Sequence, residues 1–159
     1  MGEFRSSGKK TIMLGGALFV LLLAIGAGFA FTLPGMGKAE KITAANGVVS
    51  IPQAKVADGK AHFYRIADNG KEIKFFVVKA ADGSFRTAFD ACDVCYREKK
   101  GYEQQGDAML CKNCNKKFAI DRIGPNSTGG CNPSYLPHRQ AGNDIVLTVD
   151  DLKKGGRFF

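Results

Sequence analysis

Four of the five cysteines stand as two Cys-x-x-Cys pairs in "DACDVCYREKKGYEQQGDAMLCKNCNKKF", residues 90–118. Cys92 and Cys95 form the first pair, Cys111 and Cys114 the second, with fifteen residues between them. Two thiols three residues apart can point the same way from one tight turn. Two such turns face to face close a tetrahedral four-sulfur cage, which suits zinc or iron–sulfur. Thioether-linked haem is excluded, because Tyr96 and Asn115 stand where C-x-x-C-H requires histidine. The alternative is that each pair closes its own disulfide, either as a brace or for thiol–disulfide exchange. Exchange proteins place a Cys-x-x-Cys at a helix N-terminus within a βαβ unit, where the thiolate is stabilised. Here β-type loops surround the cysteines and no amphipathic helix follows, so a metal centre is the better reading.

The compartment matters, since thiols exposed outside the cell meet an oxidising medium. Residues 11–33, "TIMLGGALFVLLLAIGAGFAFTL", are 23 positions without a charge. As a helix they span roughly 30 Å of hydrocarbon. Arg5, Lys9 and Lys10 precede the run with only Glu3 opposing, and Lys38, Glu40 and Lys41 follow it nearly balanced. The basic flank predicts a single-pass anchor in the cytoplasmic membrane, with the rest of the chain outside it, periplasmic or extracellular. A cleaved signal peptide ending near Gly28-Phe29-Ala30 is the alternative, though the apolar run is longer than such peptides need. The expected layout is a basic cytoplasmic end at 1–10, an anchor at 11–33, a flexible linker at 34–47 and an exported domain at 48–159.

Within that domain, "GVVSIP", "KAHFYRIA" and "KEIKFFVVKA" are β-branched and aromatic runs separated by "ADG" and "ADNG" turns. Another Asp-Gly turn leads through "SFRTAFDAC" into Cys92. "KKFAIDRIG" and "NDIVLTV" follow the second pair, then a short capped turn, "DDLKKGG", with Asp150 or Asp151 as cap and Gly155 as stop. These patterns predict a mainly β fold, a small antiparallel sandwich or barrel with the cysteine loops at one end.

Cys131, in "STGGCNPSYLPH", is the odd cysteine, read either as a fifth sulfur near the centre or as a small buried hydrophobe. His138 is the better histidine for a metal or proton role, with a hydrogen-bonded structural role as its plainer reading. His62 alternates with Phe63 along a strand and reads as structural. Asp90, Asp93 and Asp121 read as turn formers. The net charge of +8 comes from scattered residues. "REKK" and "KNCNKK" place cations beside the cysteines, where they offset thiolate charge. No basic stripe interleaved with aromatics points to nucleic acid.

The order "FRTAFDACDVC", "LCKNCNKKF", "GPNSTGGCNPSYLP", "DIVLTVDD" resembles Rieske ferredoxin-like domains. In those domains two metal loops and a proline-rich loop enclose a two-iron cluster. Cys95 and Cys114 occupy positions where a Rieske centre carries histidine. The resemblance implies a [2Fe–2S] cluster with Cys92 and Cys111 on one iron and Cys95 and Cys114 on the other. All-thiolate ligation would lower its potential relative to a centre with two histidine ligands. A second resemblance covers roughly residues 42–159. The anchor, the β-domain, "FDACDVCY", "CKNCNKKF", "GGCNP" and the terminal "GRFF" look like the membrane iron–sulfur proteins called FtrD-like, which are often associated with iron transport.

Three functions fit these residues. The first is a membrane-anchored electron carrier working with a neighbouring redox or transport protein in the bilayer. The second is a zinc-stapled binding module, and the third a thiol- or metal-exchange protein. No G-x-S-x-G, P-loop or dinucleotide fingerprint supports an independent enzyme.

Overall fold

The strand β4, Lys71–Lys79, organises the domain because both of its faces are buried. Ile73, Phe75 and Val77 point into one core, while Phe76 and Val78 point into another. Side chains of a strand alternate between faces, so an unbroken run such as "IKFFVV" suits a central strand covered on both sides. The computed structural model describes residues 39–127 and 130–159. The expected anchor, the signal-cleavage site and residues 34–38 of the linker lie outside the described residues. Among the described residues no helix is long and apolar enough to cross a membrane.

The fold is mainly β, and among the described residues it has three open sheets and no closed barrel. The central sheet runs β1 (Glu40–Lys41), β3 (His62–Asp68), β4, β5 (Phe85–Phe89). Its pairings are antiparallel except for β1, which lies parallel to β3. Part of the stretch expected to be a free linker is thus in the sheet. Arg65 fixes it further, with Nε donating to the Ala39 carbonyl at 3.1 Å.

A second sheet, β2 (Val48–Pro52), β10 (Asp144–Thr148) and β9 (Arg139–Ala141), supplies Val49, Ile51, Ile145 and Leu147 to the first core. A third, β6 (Tyr102–Gln105), β7 (Ala108–Cys111) and β8 (Lys117–Ala119), supplies Tyr102, Met109 and Cys111 to the second. Each fully buried side chain of this size contributes about 1.5–3 kcal/mol over remaining exposed.

The β6–β7 hairpin was not anticipated from the sequence. Its turn is Gly106-Asp107, with Gly106 at φ +62°, flanked by the register pair Gln105 and Ala108. A Gly-Asp dipeptide between alternating residues is a hairpin signal, and it lies inside the stretch separating the two cysteine pairs.

The single described α-helix, α1, spans Val149–Lys154 and ends on Gly155 as expected. Its cap is Thr148 rather than Asp150 or Asp151. The Thr148 hydroxyl accepts from the Asp151 N–H at 3.1 Å and donates to the Asp151 carboxylate at 2.7 Å. Thr148→Ala should therefore destabilise the domain by about 1 kcal/mol in urea unfolding.

Candidate metal centre

The centre lies at the edge of the second core, where loops leaving β5 and β7 meet a third loop from the C-terminal half. The first loop follows β5 through Asp90 and Ala91 to Cys92. It then tightens: Tyr96 N–H donates to Cys92 O at 3.2 Å, and Cys95 N–H donates to Cys92 Sγ at 3.1 Å. Lys99 (φ +52°) and Gly101 (φ +67°) then reverse the chain into β6. The second loop is the β7–β8 turn. Asn115 N–H donates to Cys111 O and Cys111 N–H to Lys116 O, each at 2.9 Å, and Asn115 takes φ +56°. Asparagine tolerates this left-handed geometry better than most side chains.

The third loop is laced to the first. Phe89 N–H donates to Ser134 O at 2.8 Å, Ser134 N–H to Ala91 O at 3.0 Å, and Leu136 N–H to Thr87 O at 3.2 Å. Tyr102 completes the lacing, its hydroxyl donating to Cys131 O at 2.5 Å. These bonds bring residue 131 beside residues 92 and 95, which lie 39 and 36 positions back along the chain.

All five thiols are free, and they converge. The sulfurs of Cys95, Cys111 and Cys114 all lie within 4.8 Å of one another, and so do those of Cys92, Cys95 and Cys131. Cys95 belongs to both groups, with its Sγ 3.7 Å from that of Cys131. Cys92 and Cys111 are buried, at 1% and 2% exposure, while Cys95, Cys114 and Cys131 are half-buried. Cys95 and Cys114 lie together, as in the pairing that the Rieske resemblance implies, and Cys95 links them to Cys92. Cys111 stands with Cys95 and Cys114, and Cys92 stands with Cys95 and Cys131.

Burial, backbone N–H donors and neighbouring thiols set the charge of these sulfurs. The Lys116 backbone N–H, directed at its sulfur, holds Cys114 down at about 7. Burial pushes Cys111 up to about 11, partly relieved by the N–H groups of Cys114 and Asn113. Burial likewise pushes Cys131 up to about 12, with the thiols of Cys114 and Cys95 adding to it. Burial and the adjacent Cys92 thiol raise the Tyr102 hydroxyl far above its ordinary range, so it stays a neutral donor. A soft cation close to these sulfurs reverses the burial cost, because ligating thiols are deprotonated by the metal. Free convergent thiols with N–H donors on their sulfurs fit a thiolate-bound metal or iron–sulfur cluster.

His138 stands apart from both sulfur groups. The buried Thr87 hydroxyl donates to Leu136 O at 2.5 Å, so the 2.8 Å contact to His138 is donated by the ring Nδ1–H. Burial, with Arg86 nearby, holds the His138 pKa below its ordinary 6.5. A folded-state pKa lowered in this way gives stability that is present above 6.5 and lost as pH falls through the folded value. His138→Gln should therefore flatten that part of the acid-side loss of stability, read by urea titration at a series of pH values.

Asp90 does more than form a turn. Its carboxylate accepts the Tyr102 N–H at 2.6 Å, and burial pushes its pKa up to about 6. It thereby ties the end of β5 to the start of β6, next to Gly101. Asp93 pairs with Arg157 at 3.1 Å, joining the first loop to the C-terminal segment. Tyr102 and Thr87 join the site with no motif in the sequence to mark them. The Gly106-Asp107 turn is the signal that could have placed Tyr102 on a strand.

A cavity of about 360 Å³ opens beside the sulfurs, lined by Cys92, Cys95, Cys111, Asp90, Lys74 and Lys99 among others. Val94, at the tip of the first loop, is 61% exposed and is the one large exposed hydrophobic side chain among the described residues.

Known proteins give two findings. Among solved structures, the chain is similar to the quaternary ammonium Rieske monooxygenase CntA, crystallised with the inhibitor MMV12, at 12% identity and a TM-score of 0.44. That similarity covers 72% of this chain and 32% of the CntA chain, so this chain spans about a third of that protein. No curated protein matches it. The other finding is a family model described as "Membrane iron-sulfur containing protein FtrD-like", which matches residues 56–159 and so takes in both Cys-x-x-Cys loops, Cys131 and the C-terminus. With well over half of its length matched, including every sulfur of the centre, the chain belongs to the FtrD-like membrane iron–sulfur protein family.

Proposed function

We propose that this domain is an electron carrier held at the outer face of the cytoplasmic membrane. In this reading Cys92, Cys95, Cys111 and Cys114 bind an iron–sulfur cluster, most simply [2Fe–2S]. Its partner is a neighbouring membrane protein, and the FtrD-like family points to iron transport as the setting. The observation that carries the reading is the convergence of two distant loops on one cluster of free thiols, with Cys95 within 4.8 Å of sulfurs from both. When bound, the cluster supplies a one-electron redox step. The protein's own part is to fix the thiolates, aim N–H groups at their sulfurs and limit water.

The half-buried Cys95 beside the exposed Val94 gives a short route to the surface, with a small apolar tip for a partner to cover. Lysines 99, 100, 112 and 116 around this rim favour a partner with an acidic face. Anaerobically purified protein should absorb across roughly 320–600 nm and titrate reversibly with one electron per cluster. Its potential should fall below the Rieske range of about −150 to +300 mV. Material that takes up and releases no electrons would defeat the electron-carrier reading.

A zinc staple is the second reading, and one observation favours it. The compact trio Cys95, Cys111 and Cys114, mutually within 4.8 Å, resembles three corners around a single tetrahedral ion. With Zn–S bonds of about 2.3 Å, the sulfurs of such a site lie about 3.8 Å apart.

A further inference from the structure

The number of sulfurs exceeds what a four-thiolate centre needs. Cys131 is neither remote nor loosely held: its carbonyl takes the Tyr102 hydroxyl at 2.5 Å, and the chain beyond it is bonded to the first loop through Ser134. Those contacts fix its Sγ at 3.7 Å from Cys95 Sγ and within 4.8 Å of Cys92 Sγ. A thiol placed only to fill the core would satisfy that role with its sulfur facing carbon. This one completes a three-sulfur face instead.

We infer that Cys131 is a reserve ligand of the centre, able to take the coordination position of Cys95 when that sulfur is withdrawn. The inference rests on reading the cysteines as a metal centre, and it adds a fifth member with a defined exchange partner. Cys95 is the ligand to be replaced because it alone belongs to both sulfur groups. The centre would keep Cys92, Cys111 and Cys114 while Cys131 takes the place of Cys95, whose sulfur lies 3.7 Å away. The exchange passes one thiolate for another. Cys131 loses its proton as it binds, and Cys95 gains one as it leaves, so no electron or co-reactant is required. A centre built this way would survive displacement of the half-buried Cys95 by a competing soft ligand.

The test uses the full-length chain in detergent, reconstituted anaerobically with ferrous iron and sulfide. Iron and acid-labile sulfide are counted in the wild type, C95S, C131S, C111S and the C95S/C131S double variant. C95S should keep most of the wild-type iron with an altered electron paramagnetic resonance spectrum. The double variant should fall to the C111S level, at least about tenfold lower. C95S as empty as C111S would overturn the inference.

Because C95S could fail for folding reasons, a second measurement uses an intact four-cysteine set. Extraction of iron by an excess of chelator should be about tenfold faster in C131S than in the wild type, since nothing then recaptures the metal when Cys95 lets go. An unchanged extraction rate would also overturn the inference. A wild type that binds zinc and neither iron nor sulfide would refute the cluster itself. The exchange would then be judged by the same variants with zinc counted in place of iron.

Discussion

Cys111→Ser is expected to empty the centre and to destabilise the loaded protein by at least about 3 kcal/mol, the largest effect of any single substitution here. Cys111 ends β7, pairs in register with Tyr102, and is 2% exposed within the second core. Its replacement therefore acts twice. It removes a sulfur that stands with Cys95 and Cys114, and it leaves a buried hydroxyl in a place shaped for a larger, softer atom. Structural metal binding contributes on the order of 10 kcal/mol in small peptides that have no other core. This domain has two apolar cores, so only part of that free energy should appear as lost stability. Comparison of metal-free wild type with metal-free C111S isolates the second effect, which should be about 1–3 kcal/mol. Urea unfolding with and without metal separates the two. Loss of metal without any change in the stability of the loaded protein would mean that the centre does not couple to folding.

Gly101→Ala should be the second most damaging change, at about 3 kcal/mol, and should weaken metal retention as well. Gly101 sits at φ +67°, and a Cβ there would collide with the carboxyl group of Asp90. The Asp90 carboxylate has little freedom to retreat, since it is mostly buried and accepts the Tyr102 N–H at 2.6 Å. Gly101 O also accepts the Lys112 N–H at 3.0 Å, so displacement at 101 passes directly to both cysteine loops. Gly106→Ala is the control. Gly106 has φ +62° but nothing within 4 Å of the added carbon, so only the backbone strain of about 1 kcal/mol should register. Equal effects at the two positions would show that the Asp90 contact does not matter.

The legible parts of the sequence were those governed by local rules. β-Branched and aromatic runs found β2, β3, β4, β5 and β10, and turn dipeptides placed their ends. The continuous apolar run of β4 carried its own message, that the strand is covered on both faces. The β6–β7 hairpin was missed because Gln104 and Gln105 dilute the alternation, even though Gly106-Asp107 marks the turn. The parallel pairing of Glu40–Lys41 with β3 could not be read from two charged residues. It depends on Arg65 reaching Ala39 across the sheet edge.

At the site, spacing alone nominated Cys92, Cys95, Cys111 and Cys114. The position of Cys131 against Cys95 has no local signal. It follows from long-range bonds between Phe89, Ala91 and Ser134 and from Tyr102. The same network assigns His138 to Thr87 rather than to the sulfurs. The plainer reading of His138, a hydrogen-bonded structural histidine, is the one that the fold supports.

The most direct test of the central claim is a count of iron, zinc and acid-labile sulfide per chain on anaerobically purified full-length protein. Iron and sulfide are expected in equal amounts, bound together and lost together in C111S. Protein carrying one zinc and no sulfide, or protein whose metal content is unchanged in C111S, would contradict it.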